Sequence, residues 1–336
     1  MTRIAINGFG RIGRLVFREL VKNSNVEIVA INDLTDAKTL AHLLKYDSAH
    51  QKFDGTVSSK ESSIVVNGKE IPITAEKDPA KLPWKQMNVD IVVESTGRFV
   101  NKEGAELHIK AGAKRVVISA PAKGDGIPTI VYGVNHKTLK NSDTVISAAS
   151  CTTNGLAPVV DTIHKHFGIK GGYMITTHAY TADQRLQDAP HSDLRRARAA
   201  ACNIIPTSTG AAKAIGLVIP SLKGKLHGVS NRVPVITGSL IDLHLILDKQ
   251  PSVEDINNAI KKASEGELKG TLAYNDESIV SGDIISETHG SIFDPLLTNM
   301  VDYGEGKIYH VSAWYDNESS YVNQMVKTTI YFANLK

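Results

Sequence analysis

The sequence contains little cysteine: its 336 residues include only Cys151 and Cys202. Two thiols in separate segments exclude the disulfide framework of small secreted domains, and they favour a reducing compartment. The sequence also lacks any apolar run of the roughly 18 residues that a membrane span needs. Arg3 and Asn7 interrupt the N-terminal segment where a signal peptide would be continuously apolar. We therefore expect a cytoplasmic protein.

An excess of charge of one sign is also missing. The formal net charge is only +3, which gives no support to a nucleic-acid-binding protein or an acidic tail. Metal-ligand spacings such as CxxC and HExxH do not occur, so the sequence predicts no metal site. A length of 336 residues is large for one hydrophobic core and predicts two domains.

The first half of the chain alternates strand and helix patterns. Apolar runs typical of buried strands occupy 3–7, 27–33, 89–96, 115–121 and 144–150, and helical patterns occupy 11–22, 36–47 and 102–112. Residues 63–73 are typical of a hairpin that turns at Asn67-Gly68. This alternation predicts an α/β domain over residues 1–150, built on a doubly wound parallel sheet.

The second half has longer strands. Residues 239–248 and 307–316 place apolar side chains on one face and polar ones on the other, and helical patterns cover 151–167, 209–218 and 253–265. One polar face favours an antiparallel sheet covered on its other side by helices. We therefore expect an α+β catalytic domain over 151–316 with a largely antiparallel sheet. The tail, 317–336, is predicted to be a helix that packs back on the first domain.

A glycine-rich segment joins the first strand to the first helix. Gly8, Gly10 and Gly13 form a G-x-G-x-x-G pattern, which allows a tight turn, close approach to a pyrophosphate and close packing of helix on strand. Asp33 ends the next strand, where a carboxylate accepts hydrogen bonds from a ribose diol and repels a 2′-phosphate. The pattern therefore predicts an NAD site. The alternative is a glycine turn that serves packing only.

Cys151 opens a predicted helix and is surrounded by small residues. Aligned peptide dipoles at a helix start favour an anion, so this position predicts a thiol with a lowered pKa. Small neighbours leave room for a substrate. The alternative is an inert buried thiol, which is common for free cysteine, and position alone does not decide between them. Cys202, between alanines and isoleucines, is predicted to be such an inert, buried thiol.

His178 is the histidine best placed to assist the thiol, since it ends a predicted strand just before a polar segment. His164 and His166 lie on the helix that Cys151 opens, about 20 Å along it, which is too far to share a proton. A lone histidine is more often structural, so that alternative stays open for His178.

Several residues near these two could bind anions. Ser150 and Thr152 flank the cysteine, and Thr209-Gly210 begins another predicted helix. Arg232 follows a strand pattern and could pair with a phosphate through two hydrogen bonds. The alternatives are ordinary helix capping for the hydroxyls and a surface position for the arginine.

Motifs along almost the whole chain resemble one family. In order they are "INGFGRIGRL", "INDLTD", "ESTG", "ISAP", "SAASCTTNGLAP", "HAYTADQ", "LRRARAAACNIIPTSTGAAKAIG", "RVP" and "WYDNESSY". Together they resemble the phosphorylating, NAD-dependent glyceraldehyde-3-phosphate dehydrogenases of the bacterial type. The resemblance implies that the Cys151 thiolate attacks the aldehyde of glyceraldehyde 3-phosphate and that His178 accepts a proton as hydride passes to NAD. Inorganic phosphate would then cleave the thioester to give 1,3-bisphosphoglycerate, a step of glycolysis.

The resemblance also implies roles for residues that contact the cofactor. It assigns the glycine loop with Arg11 and Ile12 to the pyrophosphate, Asp33 to the adenosine ribose, Lys77 to the adenine end, Ser119 to the nicotinamide side, Asn317 to the nicotinamide carboxamide and Tyr321 to packing at that end.

Two phosphate sites and an assembly are implied as well. The substrate phosphate is assigned to Thr181 and Arg232 with Asp183 orienting the arginine, and the inorganic phosphate to Ser150, Thr152, Thr209 and Gly210. Residues 180–205 resemble a loop that packs between the subunits of a homotetramer. Arg195, Arg196 and Arg198 of that loop are then interface or loop-fixing residues as readily as ligands.

Three alternatives to this function remain at the level of sequence. Erythrose-4-phosphate dehydrogenase would use the same thiol and cofactor but release an acid by attack of water on the thioester. A binding protein could keep the fold while acting on a surface or on RNA, although no RNA-binding motif is present. A thiol hydrolase could use Cys151 and His178, but it would leave the dinucleotide loop and Asp33 without a purpose.

Overall fold

The computed structural model describes residues 1–335, and the chain divides into two compact units. The first unit contains Met1–Ile130, His136–Ala149 and the residues from Met325 onward. The second contains Val131–Asn135 and Ser150–Gln324. None of the described helices has both the length and the apolar character that crossing a membrane requires.

The first unit contains one mixed sheet and three helices of its own. Its strands are β1 (Thr2–Asn7), β2 (Val26–Asn32), β3 (Val57–Ser59), β4 (Ser63–Val66), β5 (Lys69–Thr74), β6 (Ile91–Glu94), β7 (Arg115–Ile118) and β8 (Val145–Ser147), and its helices are α1 (Arg11–Leu20), α2 (Ala37–Lys45) and α3 (Lys102–Lys110). The strand order is β3-β4-β5-β2-β1-β6-β7-β8. All neighbours from β5 to β8 are parallel, whereas β3, β4 and β5 pair antiparallel.

The parallel part of this sheet follows from its apolar strands. Residues 4–6 of β1 and 91–93 of β6 are fully buried, as expected for strands that are covered on both faces. The predicted hairpin turns at Asn67 and Gly68, whose φ angles are 50° and 81°. The carboxyl ends of β1, β2 and β6 lie at one edge, which is where ligands bind in such sheets. The predicted doubly wound α/β fold is confirmed.

The second unit contains a seven-stranded sheet. Its strands are β9 (Ile169–Ala179), β10 (Ile205–Ser208), β11 (Leu226–Val233), β12 (Ser239–Leu247), β13 (Leu272–Tyr274), β14 (Ser291–Asp302) and β15 (Lys307–Tyr315), and its helices are α4 (Cys151–Phe167), α5 (Ala211–Val218) and α6 (Val253–Glu265). The strand order is β10-β11-β9-β12-β15-β14-β13. Only β9 with β11 and β13 with β14 pair parallel, so the predicted largely antiparallel sheet is confirmed.

One face of this second sheet is covered by helices and the other is open. Along β12, every second residue from Ser239 to Leu247 is buried and those between them are partly or fully exposed. Period-two burial is typical of a sheet covered on one face. A last helix, α7 (Ser319–Ala333), begins in the second unit, and its residues from Met325 belong to the first.

Candidate active site

The loop between β1 and α1 has the close contacts that its glycines predict. Gly8 has a φ of +90°, and a Cβ there would lie 2.7 Å from the Thr96 backbone nitrogen. A Cβ at Gly13 would lie 2.1 Å from the Gly8 carbonyl oxygen, so the helix can approach the loop only without a side chain. A Cβ at Gly10, by contrast, would meet no atom within 4 Å. The loop is therefore closely packed at Gly8 and Gly13 and leaves open space at Gly10.

Asp33 lies beside this open side. Its Oδ2 accepts a hydrogen bond from the Phe9 N–H at 2.7 Å, and its Oδ1 accepts one from the Thr35 N–H at 2.9 Å. A cleft of about 540 Å³ is lined by Asn7, Gly8, Gly10, Asn32, Asp33, Leu34, Glu76, Lys77, Ser95, Thr96, Arg98 and Phe99. The structure thus brings the predicted glycine loop, carboxylate and lysine together around one cleft.

These groups fit a dinucleotide. Gly10 begins α1 without a side-chain cap, so N–H groups of the first helical turn face the loop with the positive end of the helix dipole. The space that a Cβ of Gly10 would fill lets a pyrophosphate approach that turn. The Asp33 carboxylate supplies the acceptor that a ribose diol needs.

Arg11 does not direct its guanidinium into this cleft. It pairs with Asp47 at 2.5 Å and 3.2 Å. Burial works to raise the pKa of Asp47, but the Arg11 guanidinium and the N–H groups of His50 and Ala49 outweigh it and lower that pKa to about 2. The implied contact of Arg11 and Ile12 with a pyrophosphate therefore depends on their backbone in the first turn of α1.

Ser119 lies just beyond β7, outside the residues that line the cleft. Its N–H donates to the Glu94 carbonyl oxygen at 2.9 Å, which continues the pairing of β7 with β6. This backbone bond places Ser119 at the carboxyl edge of the sheet. Its implied position near the nicotinamide stays a prediction.

In the second unit, Cys151 and His178 meet across a long sequence separation. Cys151 is the first residue of α4, and the Ser150 hydroxyl before it caps the helix by accepting the Thr153 N–H at 3.0 Å. His178 is the second-last residue of β9 and is buried. The Cys151 Sγ lies 3.5 Å from the His178 Nε2. The structure therefore brings the predicted nucleophile and base within hydrogen-bond distance.

Burial changes the protonation that the sequence predicts for this pair. Burial raises the pKa of the Cys151 thiol above its ordinary value, although the Arg232 charge and a hydrogen bond from Thr152 act in the opposite direction. The expected lowering by the helix start is therefore wrong for the protein alone, because the desolvation of a thiolate costs more than these contacts return. Burial, and then Arg232, lowers the pKa of His178 to about 3. A neutral thiol thus faces a neutral imidazole.

The other ring nitrogen of His178 is also held. Nδ1 lies 2.7 Å from the Ala179 carbonyl oxygen and 2.6 Å from the Arg232 Nη1. A guanidinium can only donate, so Nδ1 accepts from Arg232 in this arrangement, and the proton of the neutral ring lies on Nε2. A general base requires the other tautomer, in which Nδ1 donates to the Ala179 carbonyl and the Nε2 lone pair faces the thiol, and Arg232 must then move away from Nδ1.

Arg232 reaches His178 because β11 runs parallel to β9. The register places Arg232 directly opposite His178, and the guanidinium also donates to the Ala179 carbonyl at 3.1 Å. The Asp183 carboxylate pairs with Arg196 at 2.6 Å, and its charge also acts on Arg232, so its predicted role in orienting Arg232 stays a prediction. Arg196 in turn donates to the Thr207 hydroxyl. Asp183 thus fixes the long loop between β9 and β10.

Thr181, the other residue predicted for the substrate phosphate, begins this loop. Its N–H donates to the Gln184 side chain at 3.2 Å, and the residue is partly exposed. Arg198 fixes the same loop further along through an ion pair with Asp188 at 3.0 Å. The loop-fixing alternative for Arg196 and Arg198 therefore describes their contacts in the chain.

The hydroxyls predicted for inorganic phosphate make helix contacts. Ser150 caps α4, and Thr209 accepts the Ala211 N–H at 3.2 Å, next to Gly210 at the start of α5. The capping alternative therefore describes Ser150 and Thr209 as they stand. Thr152 is buried, and its hydroxyl lies 2.8 Å from the Tyr315 hydroxyl.

Sequence reasoning missed Tyr315 beneath the thiol. Its hydroxyl lies 2.8 Å from both Thr152 and Thr176, so it joins α4 to β9. Its ring stands edge-on to the His178 ring at 5.9 Å. The signal that could have found it is weak: an aromatic residue on the buried face of a strand is ordinary core until the strand order is known.

Cys202 corrects another expectation. It is exposed, not buried, although alanines and isoleucines flank it. It lies in the 3₁₀ turn Ala200–Cys202, in the loop that runs from β9 to β10. Apolar neighbours in a surface loop do not bury a residue, as the exposed Ile204 also shows.

The two remaining predicted residues lie near the start of α7. Asn317 directs its side-chain oxygen to the Ser239 hydroxyl at 2.9 Å. Tyr321 is buried, and this burial raises the pKa of its hydroxyl well above the ordinary value. Asn317 thus lies next to β12, the strand that pairs with β9.

Comparisons with known proteins agree with this geometry. Residues 2–102 match the family model described as the NAD binding domain of glyceraldehyde 3-phosphate dehydrogenase, and residues 150–317 match the model of its C-terminal domain. The chain is similar to the glyceraldehyde-3-phosphate dehydrogenase of Mycoplasma pneumoniae, with 61% identity over 99% of this chain and 98% of that protein. It is 58% identical to that of Thermotoga maritima, over 98% of each chain. Glyceraldehyde-3-phosphate dehydrogenase 1 of Bacillus cereus is 55% identical, over 99% of each chain.

Proposed function

Because the chain belongs to the glyceraldehyde-3-phosphate dehydrogenase family, we propose that it converts D-glyceraldehyde 3-phosphate to 1,3-bisphosphoglycerate with NAD and inorganic phosphate, in glycolysis. The observation that carries this function is the 3.5 Å separation of the Cys151 Sγ from the His178 Nε2. NAD, when bound, supplies the acceptor for the hydride that leaves the aldehyde carbon.

The first step is addition of the thiol to the aldehyde. The Cys151 Sγ bonds to the carbonyl carbon, while the S–H proton passes through the His178 Nε2 to the carbonyl oxygen, giving a thiohemiacetal. A neutral imidazole can accept this proton, and the lowered pKa of His178, about 3, keeps it neutral at physiological pH. The raised pKa of Cys151 means that deprotonation accompanies attack.

Cys151 and His178 also act in the oxidation step. As the carbon loses its hydride, His178 Nε2 accepts the proton of the thiohemiacetal hydroxyl, and the carbon becomes the carbonyl of a thioester. Inorganic phosphate then attacks this carbonyl, releases its own proton to solvent and forms the acyl phosphate. The sulfur leaves and takes its proton back from His178, so the pair is restored.

Each part of the cofactor has its own set of residues. The residues that hold the adenosine and pyrophosphate are the glycine loop (Gly8, Gly10 and Gly13), the backbone of Arg11 and Ile12, Asp33 at the ribose and Lys77 at the adenine end. At the nicotinamide end, Ser119 lies near the ring, Asn317 holds the carboxamide and Tyr321 packs beside it. The lining of the cleft by the loop, Asp33 and Lys77 supports this assignment.

The phosphate groups are bound by two sets of residues. Arg232 and Thr181 bind the substrate phosphate, and Ser150, Thr152, Thr209 and Gly210 bind inorganic phosphate. The helix starts at α4 and α5 support the second set, since the positive ends of their dipoles favour an anion beside these hydroxyls. Asp183 orients Arg232 within the first set, and the action of its charge on that guanidinium supports this role.

The working form is a homotetramer in the cytoplasm. Support for assembly comes from the open face of the second sheet, where Tyr173, Ile246 and Ile308 are all exposed. Apolar side chains clustered on one surface are typical of an interface between proteins. Two free thiols support a reducing location.

A steady-state assay with glyceraldehyde 3-phosphate tests the reaction. NADH formation should require inorganic phosphate and should be faster with NAD than with NADP. A rate that is indifferent to phosphate would contradict the proposal and would favour the erythrose-4-phosphate dehydrogenase alternative, in which water cleaves the thioester.

A second test addresses the covalent step. Cys151→Ser should lower turnover by about a thousandfold or more, because a hydroxyl is a far poorer nucleophile at neutral pH. NAD should still bind, as calorimetry would show. Cys202→Ala is the matched control and should keep full turnover. Appreciable turnover by Cys151→Ser would exclude this thiol as the nucleophile.

A further inference from the structure

The side-chain oxygen of Asn317 is enclosed by hydrogen-bond donors. Its Oδ1 accepts from the Ser239 hydroxyl at 2.9 Å and the Gly238 N–H at 3.2 Å, and the Thr237 hydroxyl lies at 3.3 Å. The single Thr237 proton is closer to Asp316, whose Oδ1 lies 2.6 Å from that hydroxyl. Gly238 and Ser239 therefore hold the Asn317 oxygen.

This arrangement fixes which end of the amide faces outward. A backbone N–H can only donate, so Gly238 requires the oxygen of Asn317, not its nitrogen, on the inner side. Gly238 has a φ of +91°, and a Cβ there would lie 2.4 Å from the Ser281 carbonyl, so only glycine presents its N–H here. Within residues 1–335 no acceptor is bonded to the Asn317 Nδ2, which is left as a donor for a ligand.

Hydrogen bonds to the Asp316 carboxylate fix the backbone around Asn317. The Asp316 carboxylate accepts the N–H groups of Glu318 at 2.9 Å, Ser319 at 3.1 Å and Ser286 at 2.8 Å. Asp316 is fully buried. With the peptide on both sides fixed, the Asn317 side chain keeps little freedom beyond rotation of its amide, which Ser239 and Gly238 stop.

Ser239 also reaches the strand that carries the general base. Its Oγ accepts the Ala179 N–H at 3.1 Å while it donates to Asn317, and the residue is 1% exposed. Ala179 follows His178, and its carbonyl oxygen lies 2.7 Å from the His178 Nδ1. One buried hydroxyl thus joins the backbone next to His178 to the amide of Asn317.

We propose that Ser239 is a positioning residue for hydride transfer, which fixes the Asn317 amide as a donor and sets it at a constant position relative to His178. The inference rests on the proposed function, in which Asn317 donates to the nicotinamide carboxamide. Alanine at 239 would leave both the Asn317 oxygen and the Ala179 N–H without this partner, and only the longer Gly238 bond would still hold the amide.

Binding measurements separate this role from general damage. Calorimetry of Ser239→Ala with NAD and with ADP-ribose, which lacks the nicotinamide, compares the two ends of the cofactor. We expect NAD affinity to fall about three- to tenfold, as for a lost neutral hydrogen bond, and ADP-ribose affinity to stay within about twofold. Asn317→Ala should show the same selective loss.

A matched control is Ser291→Ala. The Ser291 hydroxyl is also buried, on β14, and has no hydrogen-bond partner within the described chain. The Ser291→Ala substitution removes a hydroxyl from the same sheet and leaves the hydrogen bonds of Asn317 unchanged. Both affinities should match those of the unchanged protein.

The direction of hydride transfer gives a second readout. With substrate deuterated at the aldehyde carbon, NMR of the reduced cofactor shows which ring face received the deuterium. The unchanged protein and Ser291→Ala should label one face, and Ser239→Ala should place a detectable share on the other. Ser239→Thr, which keeps the hydroxyl, should restore labelling of a single face. If Ser239→Ala does not fold, Ser239→Cys, with its weak S–H donor, replaces it in both measurements.

Three results would overturn the inference or the assignment beneath it. If Ser239→Ala weakens the binding of NAD and of ADP-ribose equally, the substitution causes general damage. If both affinities are unchanged and deuterium labels one ring face, Ser239 positions nothing. Either result overturns the inference about Ser239 and leaves the role of Asn317 untouched. If Asn317→Ala leaves the ratio of NAD affinity to ADP-ribose affinity unchanged, the assignment of Asn317 to the carboxamide fails as well. The proposed reaction itself is tested separately, on the unchanged protein, and it fails if that protein forms no NADH or forms it at a rate that is indifferent to phosphate.

Discussion

Asp33 combines two interactions in one carboxylate. One oxygen supports the glycine loop through the Phe9 N–H, and the other accepts the Thr35 N–H. Its negative charge, which faces the cleft, is a separate property from its ability to accept hydrogen bonds. A substitution that removes the charge and keeps an acceptor can therefore test cofactor choice without breaking the loop.

Asp33→Asn is that substitution. The amide oxygen can still accept the Phe9 N–H, whereas the amide nitrogen cannot accept the exposed Thr35 N–H, which turns to water. The repulsion of a 2′-phosphate is lost. We expect the preference for NAD over NADP, measured as the ratio of kcat/KM values, to fall about tenfold or more, which corresponds to about 1.4 kcal/mol. Thermal unfolding should change little. An unaltered preference would show that Asp33 does not contact the ribose.

His178 gives a prediction about pH. Its pKa is about 3 in the folded protein, against about 6.5 in an unfolded chain. Between these two pH values the unfolded chain binds more protons at this residue than the folded protein does. The free energy of unfolding therefore falls as the pH falls, by up to about 1.4 kcal/mol per pH unit. Above about pH 6.5 this loss is absent.

His178→Asn should remove this dependence. In urea unfolding at pH 7, 6 and 5, the unchanged protein should lose more stability on acidification than the variant does. His42→Asn, which replaces an exposed histidine on α2, is the control and should follow the unchanged protein. If the unchanged protein and His178→Asn lose the same unfolding free energy on acidification, His178 is not a buried, neutral imidazole.

Sequence reasoning found the residues whose signals are local. Cys151 opens a helix and His178 ends a strand, and both signals lie within a few neighbouring residues. It missed the contact of Arg232 with His178 and the raised pKa of Cys151 because these depend on distant partners: Arg232 lies opposite His178 only through the parallel register of β9 and β11. Burial of a thiol is likewise a property of the packed unit.

The glycine loop gives a prediction for a whole element. Gly13→Ala places a methyl group 2.1 Å from the Gly8 carbonyl oxygen, so α1 must move away from β1 and unfolding free energy should fall by about 2 kcal/mol or more. Gly10→Ala meets no protein atom within 4 Å, and its stability should stay within about 0.5 kcal/mol.

The two variants should therefore separate folding from binding. Gly10→Ala should fold normally and bind NAD at least about tenfold more weakly, because its methyl group takes the space of the approaching pyrophosphate. Urea unfolding and calorimetry measure the two effects. Normal NAD affinity in Gly10→Ala would place the pyrophosphate elsewhere.

Elements with their own end signals were predictable, and elements defined by neighbours were not. Helices α4 and α6 have the predicted bounds, 151–167 and 253–265, and serine caps begin both. Short edge strands such as β3 and β13 were not predicted. With three residues each, they have too few positions for a period-two pattern and exist through their partners.

At the scale of the whole molecule, the open face of the second sheet is the main unexplained surface. Tyr173, His244 and His310 lie side by side across three strands of that face. Ile246 and Ile308 follow on the same face, since side chains two apart on a strand share a side. Their exposed fractions are 43% and 40%. Burial of such a patch against other copies of the chain would stabilise an assembly.

Ile246→Asp should therefore weaken the proposed homotetramer. A carboxylate at the centre of an apolar interface loses solvation without gaining a partner, so sedimentation should shift from about four times the 36.3 kDa chain mass towards smaller species. Leu43→Asp, at an exposed apolar residue of α2, is the control and should sediment like the unchanged protein. Because Ile246 is already exposed in the chain, the circular dichroism of Ile246→Asp should stay unchanged. A fully retained assembly in that variant would show that the subunits meet through another surface.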